Sequence, residues 1–330
     1  MNGSGSMSKI LITGGAGFIG STLANYYSEN HNVIVVDDLS MGNKQNLTSS
    51  KNIEFVKGSV TNKQLMQNIL IDNQFDYIFH LAAVASVADS VERPLATHEV
   101  NFDSVLQLLE LIKKYQKELK RLVFSSSAAV YGDEPTLPKQ EESIIRPLTP
   151  YAIDKFAAEK YVVDYYHLYD VPTSAVRFFN VYGPKQNPES PYSGVISIMM
   201  DRYKKLLNNE QSMFTLFGDG TQSRDFVFIE DVVQALNLIA NSQDTLGEVY
   251  NIGTGEAIGL NELVSTIDSF LEVKLPIQYE DERSGDIKHS LADIAKVKAV
   301  GYQPKYDIKS GLEKYVSYEL SNFGKKGSDS

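Results

Sequence analysis

Glycine recurs at every third position in one short segment of this chain, Gly14-Gly15-Ala16-Gly17-Phe18-Ile19-Gly20. The segment follows directly on an apolar run typical of a strand, Lys9–Thr13, and opens a pattern typical of a helix. Gly14 permits a tight turn, Gly17 lets the backbone come close to a pyrophosphate, and Gly20 lets the helix pack on the strand. The spacing therefore predicts a strand–turn–helix unit with a phosphate site at the helix N-terminus, and a simple flexible turn is the alternative.

Short β-rich runs alternate with amphipathic stretches through the first half of the chain. This alternation is typical of a parallel sheet with helices on both faces. We therefore predict an α/β fold, a doubly wound Rossmann sheet with a smaller C-terminal α/β lobe for substrate. The runs predicted as strands are Lys9–Thr13, Asn32–Val36, Ile53–Val56, Tyr77–Leu81, Arg121–Ser125 and Thr173–Phe179.

The composition changes where Gly, Pro, Asn and Ser crowd the segment Gly183–Gly194. We expect a dinucleotide-binding domain over residues 8–180 and a substrate lobe over 181–323, and leave open whether parts of the lobe return to the first domain. Residues 1–7 and 324–330 are polar, and we expect a linker and a disordered tail there. The elements predicted in the lobe are helices near Val195–Leu207, Ile229–Ala240 and Leu260–Leu271 and a strand near Phe214–Phe217.

Composition argues against several classes of function. A chain with 42% hydrophobic and 22% charged residues is typical of a soluble globular protein, and no apolar run reaches the length of a membrane span. The net charge of −11 argues against a nucleic-acid partner, which requires a basic stripe. The chain has no cysteine and five scattered histidines, so we expect neither disulfides nor a metal site, and we expect a cytoplasmic protein.

An acidic pair, Asp37-Asp38, ends the second predicted strand. About twenty residues after such a glycine loop, a carboxylate accepts hydrogen bonds from the adenosine ribose in dinucleotide-binding folds. Asp37 is the preferred candidate. Its charge would repel a 2′-phosphate, so NAD is favoured over NADP; a solvated strand-end acid is the alternative.

Two further motifs follow the fifth predicted strand. The run from Ser125 to Gly132 ends that strand, and Tyr151 and Lys155 lie four residues apart on a helical pattern. Because residues four apart share a helix face, the Lys155 ammonium would favour ionisation of the Tyr151 phenol. Ser127 would hydrogen-bond the substrate oxygen on which charge develops. The order of the motifs predicts one active site with Tyr151 as acid and base; a surface helix pair is the alternative.

These motifs together resemble the extended short-chain dehydrogenase/reductases, and within them the UDP-glucose and UDP-N-acetylglucosamine 4-epimerases. The resemblance covers nearly the whole chain. The matching segments are Thr13–Gly20, His80-Leu81-Ala82-Ala83, Ser125–Gly132, Tyr151–Lys155, Arg177-Phe178-Phe179-Asn180, Arg224-Asp225-Phe226 and Arg283-Ser284-Gly285-Asp286.

The resemblance implies a reaction in which Tyr151 removes the proton of the sugar C4 hydroxyl while hydride passes from C4 to NAD. A 4-keto sugar then rotates and receives the hydride on its opposite face, so NAD stays bound through turnover. A homodimer is also expected, because family members commonly dimerise through the helices that correspond to patterns near His98–Tyr115 and Phe156–Tyr169. Core packing would explain the apolar residues of these patterns equally well.

The resemblance also extends the candidate site. Guanidinium groups suit phosphate oxygens, so Arg224 and Arg283, with Asn180, would hold the nucleotide diphosphate; ion pairs with Asp225 or Asp286 are the alternative. The implied cofactor contacts are Gly14, Gly17, Phe18, Ile19, Gly20, Asp37, Asp38, Ser40, Ser59, Val60, Leu81, Ala82, Ala83, Asn101, Ser125, Tyr151, Lys155 and Phe179. The implied substrate contacts are Ala85, Ser126, Ser127, Tyr151, Asn180, Gly194, Val195, Thr215, Phe217, Arg224, Arg283 and Ser290.

Two segments depart from patterns of the wider family. Related dehydratases and decarboxylases place an acid soon after the catalytic serine or threonine, where this chain has Ala128 and Ala129. Dehydration and decarboxylation are therefore disfavoured. After the third strand the family often has an aspartate that meets the adenine amine, and this chain has Ser59 there.

The sequence also bears on the choice of sugar. Ser290 lies seven residues after Arg283, at a position that lines the C2 substituent in similar epimerases, and Ala85 and Gly194 match other wall positions. Small residues there leave room for an N-acetyl group, so we expect UDP-N-acetylglucosamine and UDP-N-acetylgalactosamine to be accepted. Alternatives are a UDP-glucuronate 4-epimerase, a reductase that makes a deoxysugar nucleotide, and a non-enzymatic NAD-sensing protein.

Overall fold

The fold is described from a computed structural model, which describes residues 7–188, 194–282 and 287–322. The strands are, in chain order, β1 Lys9–Thr13, β2 Asn32–Asp37, β3 Ile53–Lys57, β4 Tyr77–His80, β5 Arg121–Ser127, β6 Thr173–Phe178, β7 Asn180–Tyr182, β8 Phe214–Phe217, β9 Ser223–Arg224, β10 Phe226–Phe228, β11 Val249–Ile252, β12 Ile258–Gly259, β13 Ile277–Glu280 and β14 His289–Ser290. The α-helices are α1 Phe18–Ser28, α2 Lys63–Asp72, α3 Val87–Glu92, α4 Pro94–His98, α5 Ser104–Tyr115, α6 Pro150–Tyr169, α7 Val195–Leu207, α8 Ile229–Asn241, α9 Leu260–Leu271, α10 Ala295–Ala299 and α11 Ile308–Asn322.

The main sheet has seven parallel strands in the order β3-β2-β1-β4-β5-β6-β11. The strand order changes direction between β1 and β4, and in open α/β sheets the crevice at such a point binds ligands. The predicted doubly wound Rossmann fold is confirmed.

The central strands are buried on both faces, as parallel sheets require. Ile12 and Val35 belong to a core that includes residues of α1 and α8, whereas Leu11 and Ile34 belong to a second core formed with α2, α5 and α6. Successive side chains of a strand point to opposite faces, and each fully buried aliphatic or aromatic side chain stabilises the fold by about 1.5–3 kcal/mol.

Residues beyond position 180 also contribute to the main sheet and to the helices that pack beside it. Strand β11 pairs with β6 in the register Val249↔Ala175 to Ile252↔Phe178, and α8 packs against α1. The remaining strands of the second half form small separate sheets, β7 with β10, β8 with β13, and β9 between β12 and β14.

The helical pattern near His98–Tyr115 differs from its prediction. Helix α4 ends at His98, a wider π-helical turn covers Glu99–Asp103, and α5 begins only at Ser104. The buried Asn101 in this turn brackets the backbone of Val84, with Val84 N donating to its Oδ1 at 2.8 Å and its Nδ2 donating to Val84 O at 2.9 Å. The turn therefore places a buried amide against the loop that follows β4, and π-turns occur frequently at functional sites.

Candidate active site

The glycine loop between β1 and α1 has the close approaches that its sequence predicts. Gly14 has a φ of +67°, and a Cβ there would lie 2.8 Å from Ala82 N. A Cβ on Gly20 would lie 2.2 Å from the carbonyl oxygen of Gly14. Helix α1 starts at Phe18 with neither a side-chain cap nor an acidic residue in its first turn, so Phe18 and Ile19 stand at a helix end whose dipole and N–H groups suit an anion.

Asp37 lies beneath this loop and is only 7% exposed. Its Oδ2 accepts a hydrogen bond from Ala16 N at 2.9 Å, and its Oδ1 accepts one from Leu39 N at 2.8 Å. Burial raises the pKa of the Asp37 carboxyl, and these backbone hydrogen bonds oppose that rise. The carboxylate therefore fixes the shape of the glycine loop, in addition to any contact with a ribose.

The other predicted adenosine contacts lie on the ends of β2 and β3. Asp38 is exposed, and its Oδ1 accepts hydrogen bonds from the backbone N and the Oγ of Ser40 at 2.9 and 2.6 Å. The hydroxyl of Ser59 is paired with Thr61 at 2.9 Å, and the adjacent Val60 is buried.

The loop after β4 lies against the glycine loop. Leu81 N donates to Thr13 O at 3.2 Å, Ala82 N donates to Thr13 Oγ1 at 3.3 Å, and Leu81, Ala82 and Ala83 are partly buried. Ala85 is exposed. These hydrogen bonds thus join the carboxyl ends of β1 and β4, where the glycine loop begins.

The structure brings together the three predicted catalytic residues. Lys155 Nζ donates to Ser125 O at 2.8 Å and lies 6.0 Å from the centre of the Tyr151 ring, and Ser127 lies near enough to Tyr151 to influence the pKa of its phenol. Burial raises the pKa of Tyr151, and the hydrogen bond from Ser127 opposes this rise. Burial also lowers the pKa of Lys155 to about 7, against the opposing charge of Asp154.

His80 is a site residue whose role the sequence reasoning missed, although it opens one of the matched motifs. It is 1% exposed, and its Nδ1 is paired with Thr13 Oγ1 at 2.8 Å. Burial, with the charge of Lys155, lowers the pKa of His80 to about 3, so the imidazole is neutral at physiological pH. It therefore adds no positive charge that would compete with Lys155.

Three predicted contacts have surroundings that the sequence did not indicate. Ser126 is 2% exposed and donates its hydroxyl to Glu159 Oε2 at 2.6 Å, which directs the hydroxyl toward α6. Phe179 is buried, with its N–H donated to Ile252 O at 3.0 Å. Asn180 is exposed, and its N–H donates to Asp225 O at 3.1 Å.

The predicted nucleotide-sugar contacts lie on short elements of the second half. Arg224 is in register with Ser290 across β9 and β14, and its Nη1 donates to Ser223 O and Lys288 O at 2.9 and 3.1 Å. Arg283 and Asp286 lie outside the described residues. The remaining predicted contacts are all partly buried: Gly194 and Val195 at the start of α7, Thr215 and Phe217 on β8.

Asp225 was named above as a possible ion-pair partner of Arg224 or Arg283, and the structure shows which groups its carboxylate binds. This residue is fully buried, and its two oxygens accept hydrogen bonds from Thr254 N, Thr254 Oγ1, Gly255 N and Ala292 N at 2.8–3.2 Å. Asp225 thus joins three segments of backbone. A small cavity beside β9 adds Gln222 and Lys288, which the sequence reasoning had not singled out, to the candidate site.

The residues present fit an NAD cofactor. Side chains at Gly14 and Gly20 would fill the turn in which a dinucleotide backbone lies, and the helix end above it is free of acidic side chains. Across residues 7–188, 194–282 and 287–322, no three Asp, Glu or His side chains are grouped to hold a metal ion. Within the same ranges, no helix is both long and apolar enough to cross a bilayer.

Comparisons with known proteins agree with this geometry. Residues 10–253 match the NAD dependent epimerase/dehydratase family. The chain is 37% identical over 315 residues to a putative UDP-glucose 4-epimerase of Methanocaldococcus jannaschii, covering 95% of this chain and 99% of that protein. It is 32% identical over 327 residues to a UDP-glucuronate 4-epimerase of Thermodesulfobacterium geofontis, covering 96% and 97%.

A solved structure is also similar over nearly the whole chain. It is the UDP-N-acetylglucosamine 4-epimerase from Methanobrevibacter ruminantium M1 in complex with UDP-N-acetylmuramic acid, with 36% identity, a TM-score of 0.88 and coverage of 96% of this chain and 99% of that one. The protein therefore belongs to the NAD-dependent epimerase/dehydratase family. The predicted cofactor, the predicted superfamily and the predicted enzyme class, a UDP-sugar 4-epimerase, are confirmed by these comparisons.

Proposed function

We propose that this enzyme interconverts UDP-N-acetylglucosamine and UDP-N-acetylgalactosamine by epimerisation at C4, and also accepts the UDP-glucose and UDP-galactose pair. The observation that carries the chemistry is the grouping of Tyr151 with Lys155, which lies 6.0 Å from the Tyr151 ring centre and donates to Ser125 O, and with Ser127, which lowers the pKa of the phenol. Bound NAD supplies a hydride acceptor at this edge.

In this proposal Tyr151 is the acid and base. Ser127 accepts a hydrogen bond from Ala129 N at 3.1 Å, so its own proton is available to the Tyr151 oxygen and stabilises the phenolate. A positive charge on Lys155 favours the same ionised form. Because the pKa of Lys155 is about 7, its charge is fully present only below neutral pH when no anionic ligand is bound.

The second half supplies the nucleotide-sugar contacts of the proposal. Arg224 is paired with Ser290 across β9 and β14, and Gln222 and Lys288 line the adjoining cavity. Arg283 is proposed to act with them. Asp219 and Glu282 also line this cavity, so the arginines and Lys288 offset these two carboxylates as well as the net charge of −11 when a diphosphate binds.

Three small residues support the N-acetylated substrates. Ser290, Ala85 and Gly194 are the positions that the resemblance places along the sugar wall, and none of them fills the space beside C2. The similar solved structure is itself a UDP-N-acetylglucosamine 4-epimerase. A matched pair of variants tests the assignment: Ser290→Tyr is expected to lower kcat/KM for the acetylated sugars at least tenfold more than for the plain ones, a difference of about 1.4 kcal/mol, whereas Ser290→Ala leaves the ratio unchanged.

One experiment tests the whole function. The protein as purified is incubated, without added NAD, separately with UDP-glucose, UDP-N-acetylglucosamine and UDP-glucuronate, and the products are resolved by chromatography. We expect both C4 epimers from the first two substrates. Tyr151→Phe should retain NAD and lose a factor of about 10²–10⁴ in kcat, the usual contribution of a general acid and base.

A second candidate function is 4-epimerisation of UDP-glucuronate, because one relative of similar coverage carries that name. Product from UDP-glucuronate alone would replace the proposal with this candidate. Stoichiometric consumption of reduced cofactor would indicate a reductase, and NAD binding without any turnover would indicate the sensing protein. The homodimer and the cytoplasmic location stay predictions.

A further inference from the structure

Three consecutive residues at the end of β5 are each fastened to the same face of α6. Residues Ser125–Ser127 meet side chains that are spaced four apart on the helix: Ser127 meets Tyr151, the carbonyl of Ser125 accepts from Lys155, and Ser126 donates to Glu159. Residues at this spacing lie one above another on a helix. The contacts of Ser126 and Glu159 therefore continue the row of Tyr151 and Lys155 by one turn of α6.

Glu159 is held in one position by a buried ion pair. It is 1% exposed, and its two oxygens accept hydrogen bonds from Arg177 Nη2 at 2.6 Å and Arg177 Nε at 2.9 Å. Burial opposes the charge of Arg177, but the hydrogen bonds with Glu159 outweigh it and raise the pKa of the guanidinium. Paired in this bidentate way, the carboxylate has a fixed direction toward Ser126.

Arg177 carries the connection to two further parts of the fold. Its Nη1 donates to Tyr131 Oη at 2.8 Å and to Glu141 O at 3.0 Å. Tyr131 Oη in turn donates to Asn251 Oδ1 on β11 at 2.6 Å. The position of α6 along β5 is thus fixed against β6 and β11 by polar contacts, of which those of Arg177 with Glu159 and Tyr131 and that of Tyr131 with Asn251 are buried.

We propose that Ser126, Glu159 and Arg177 form a positioning unit that sets the height of Tyr151 relative to Ser127 and so the readiness of the phenol to release its proton. The inference rests on the proposed function, in which Tyr151 is the acid and base. None of the three touches the reacting atoms. Their effect is geometric, and a displacement of about 1 Å at a reacting group can lower a rate by about 10²-fold.

The test variant is Ser126→Ala, which removes one hydroxyl and leaves the ion pair intact. We expect kcat to fall about tenfold, with KM for the UDP-sugar and the NAD content unchanged, because proton transfer is lost and not binding. The Ser127 hydrogen bond lowers the pKa of Tyr151, so weakening it moves the basic limb of the kcat profile to higher pH. The other titratable groups near the phenol, Lys155, Asp154 and His80, are unchanged in the variant.

The matched control is Thr173→Val. Thr173 is also fully buried, and its hydroxyl donates at 2.6 Å to Val162 O on the same helix, further from the site. It is expected to lower the melting temperature about as much as Ser126→Ala, while its kcat and pH profile stay those of the parent. If both variants change kcat equally, or neither moves the pH profile, the unit is only structural and the inference is overturned.

A second measurement separates this inference from the proposed function. The ionisation of Tyr151 is read without substrate, as the ultraviolet difference between the parent and Tyr151→Phe during a pH titration, and again in the Ser126→Ala background. If the parent converts no UDP-sugar, the proposed function fails. The positioning unit still stands if Ser126→Ala raises the pKa of the phenol, and falls if it does not.

Discussion

The two halves of the candidate site, the one predicted to bind the dinucleotide and the one predicted to bind the nucleotide-sugar, are held together in different ways. The first half lies on adjacent strands of one parallel sheet, in the continuous register Val36↔Thr13, Thr13↔His80 and His80↔Phe124. Each ladder has four or more paired residues. The backbone ladder therefore places the residues at the ends of these strands, and side chains such as that of Asp37 add to it.

The second half has no such ladder around Arg224. Strand β9 is two residues long, and its partners β12 and β14 come from chain positions more than thirty residues away. In place of a long ladder, the buried carboxylate of Asp225 collects four hydrogen bonds from Thr254, Gly255 and Ala292. One buried carboxylate can thus hold short segments that are distant in the chain in fixed positions, as backbone pairing holds long adjacent strands.

The largest expected effect is that of Gly20→Ala in the first half. The added Cβ would lie 2.2 Å from Gly14 O and 2.7 Å from Gly15 Cα, and these backbone atoms cannot move without distorting the glycine loop. We expect a loss of about 3 kcal/mol in the free energy of unfolding, the upper end for overpacking. The NAD released from the purified, denatured protein, measured by chromatography, should fall at least tenfold.

Gly259→Ala is the control for this variant. Gly259 also precedes a helix, but a Cβ there meets nothing nearer than Gly220 O at 3.8 Å, which is ordinary contact. It should keep both NAD and stability. Equal NAD content in Gly20→Ala and Gly259→Ala would break the view that close packing of the glycine loop holds the cofactor half.

The first half was largely predictable from sequence for the same reason that it is rigid. Glycine spacing, acidic strand end and strand periodicity are all local signals, and β1 begins and ends at the predicted residues. The placement of Tyr151 and Lys155 on one helix face is likewise a local signal, because the two residues are four positions apart in the chain. Prediction works where a residue and its structural cause are close together in the chain.

The contacts that escaped prediction join residues that are far apart in the sequence. Asp225 binds Ala292, 67 positions later, and Asn101 interrupts a helical pattern in order to hold Val84. Ser126, which was predicted as a substrate contact, donates its hydroxyl to Glu159, 33 positions later. The four-residue spacing from Lys155 to Glu159 indicates that both lie on one helix face. Spacing alone does not reveal that Glu159 is buried in an ion pair with Arg177.

The second prediction, Asp225→Asn, concerns the half of the site that contains Arg224. The amide presents N–H groups to backbone N–H donors that now have an acceptor, so at least one buried donor is left without a partner. We expect the free energy of unfolding to fall by about 2 kcal/mol. KM for the UDP-sugar should rise while the NAD content stays that of the parent, because the register of the main sheet is untouched.

Asp307→Asn is its control, because Asp307 also accepts from a backbone N–H and a hydroxyl, both of Ser310, but is exposed. Its melting temperature should stay within a degree or two of the parent, since exposed substitutions change stability by about 0.5 kcal/mol or less. If Asp225→Asn releases NAD as readily as it weakens sugar binding, the two halves are not held independently.

The smallest effect is expected where a strap joins the two halves. Lys139 N donates to Leu291 O, and Asp293 N donates to Lys139 O, each at 2.8 Å. The Lys139 ammonium lies 2.6 Å from Glu134 Oε2, with both side chains 6% exposed. Hydrogen bonds from Lys139 and then from Thr136 lower the pKa of Glu134 to about 2.

A carboxyl whose pKa is depressed in the folded state stabilises the protein above its unfolded value and loses that contribution as the pH falls through the folded value. The difference in melting temperature between the parent and Glu134→Gln should therefore be largest near pH 7 and shrink as the pH is lowered from 4.5 toward 2. Asp133→Asn, which breaks a pair with Arg146 that is about half exposed on both sides, should show a small difference at every pH. If the melting-temperature difference between the parent and Glu134→Gln stays constant down to pH 3, the ion pair does not hold the strap. The backbone hydrogen bonds of Lys139 would then join the two halves, as backbone pairing joins the strands within the sheet.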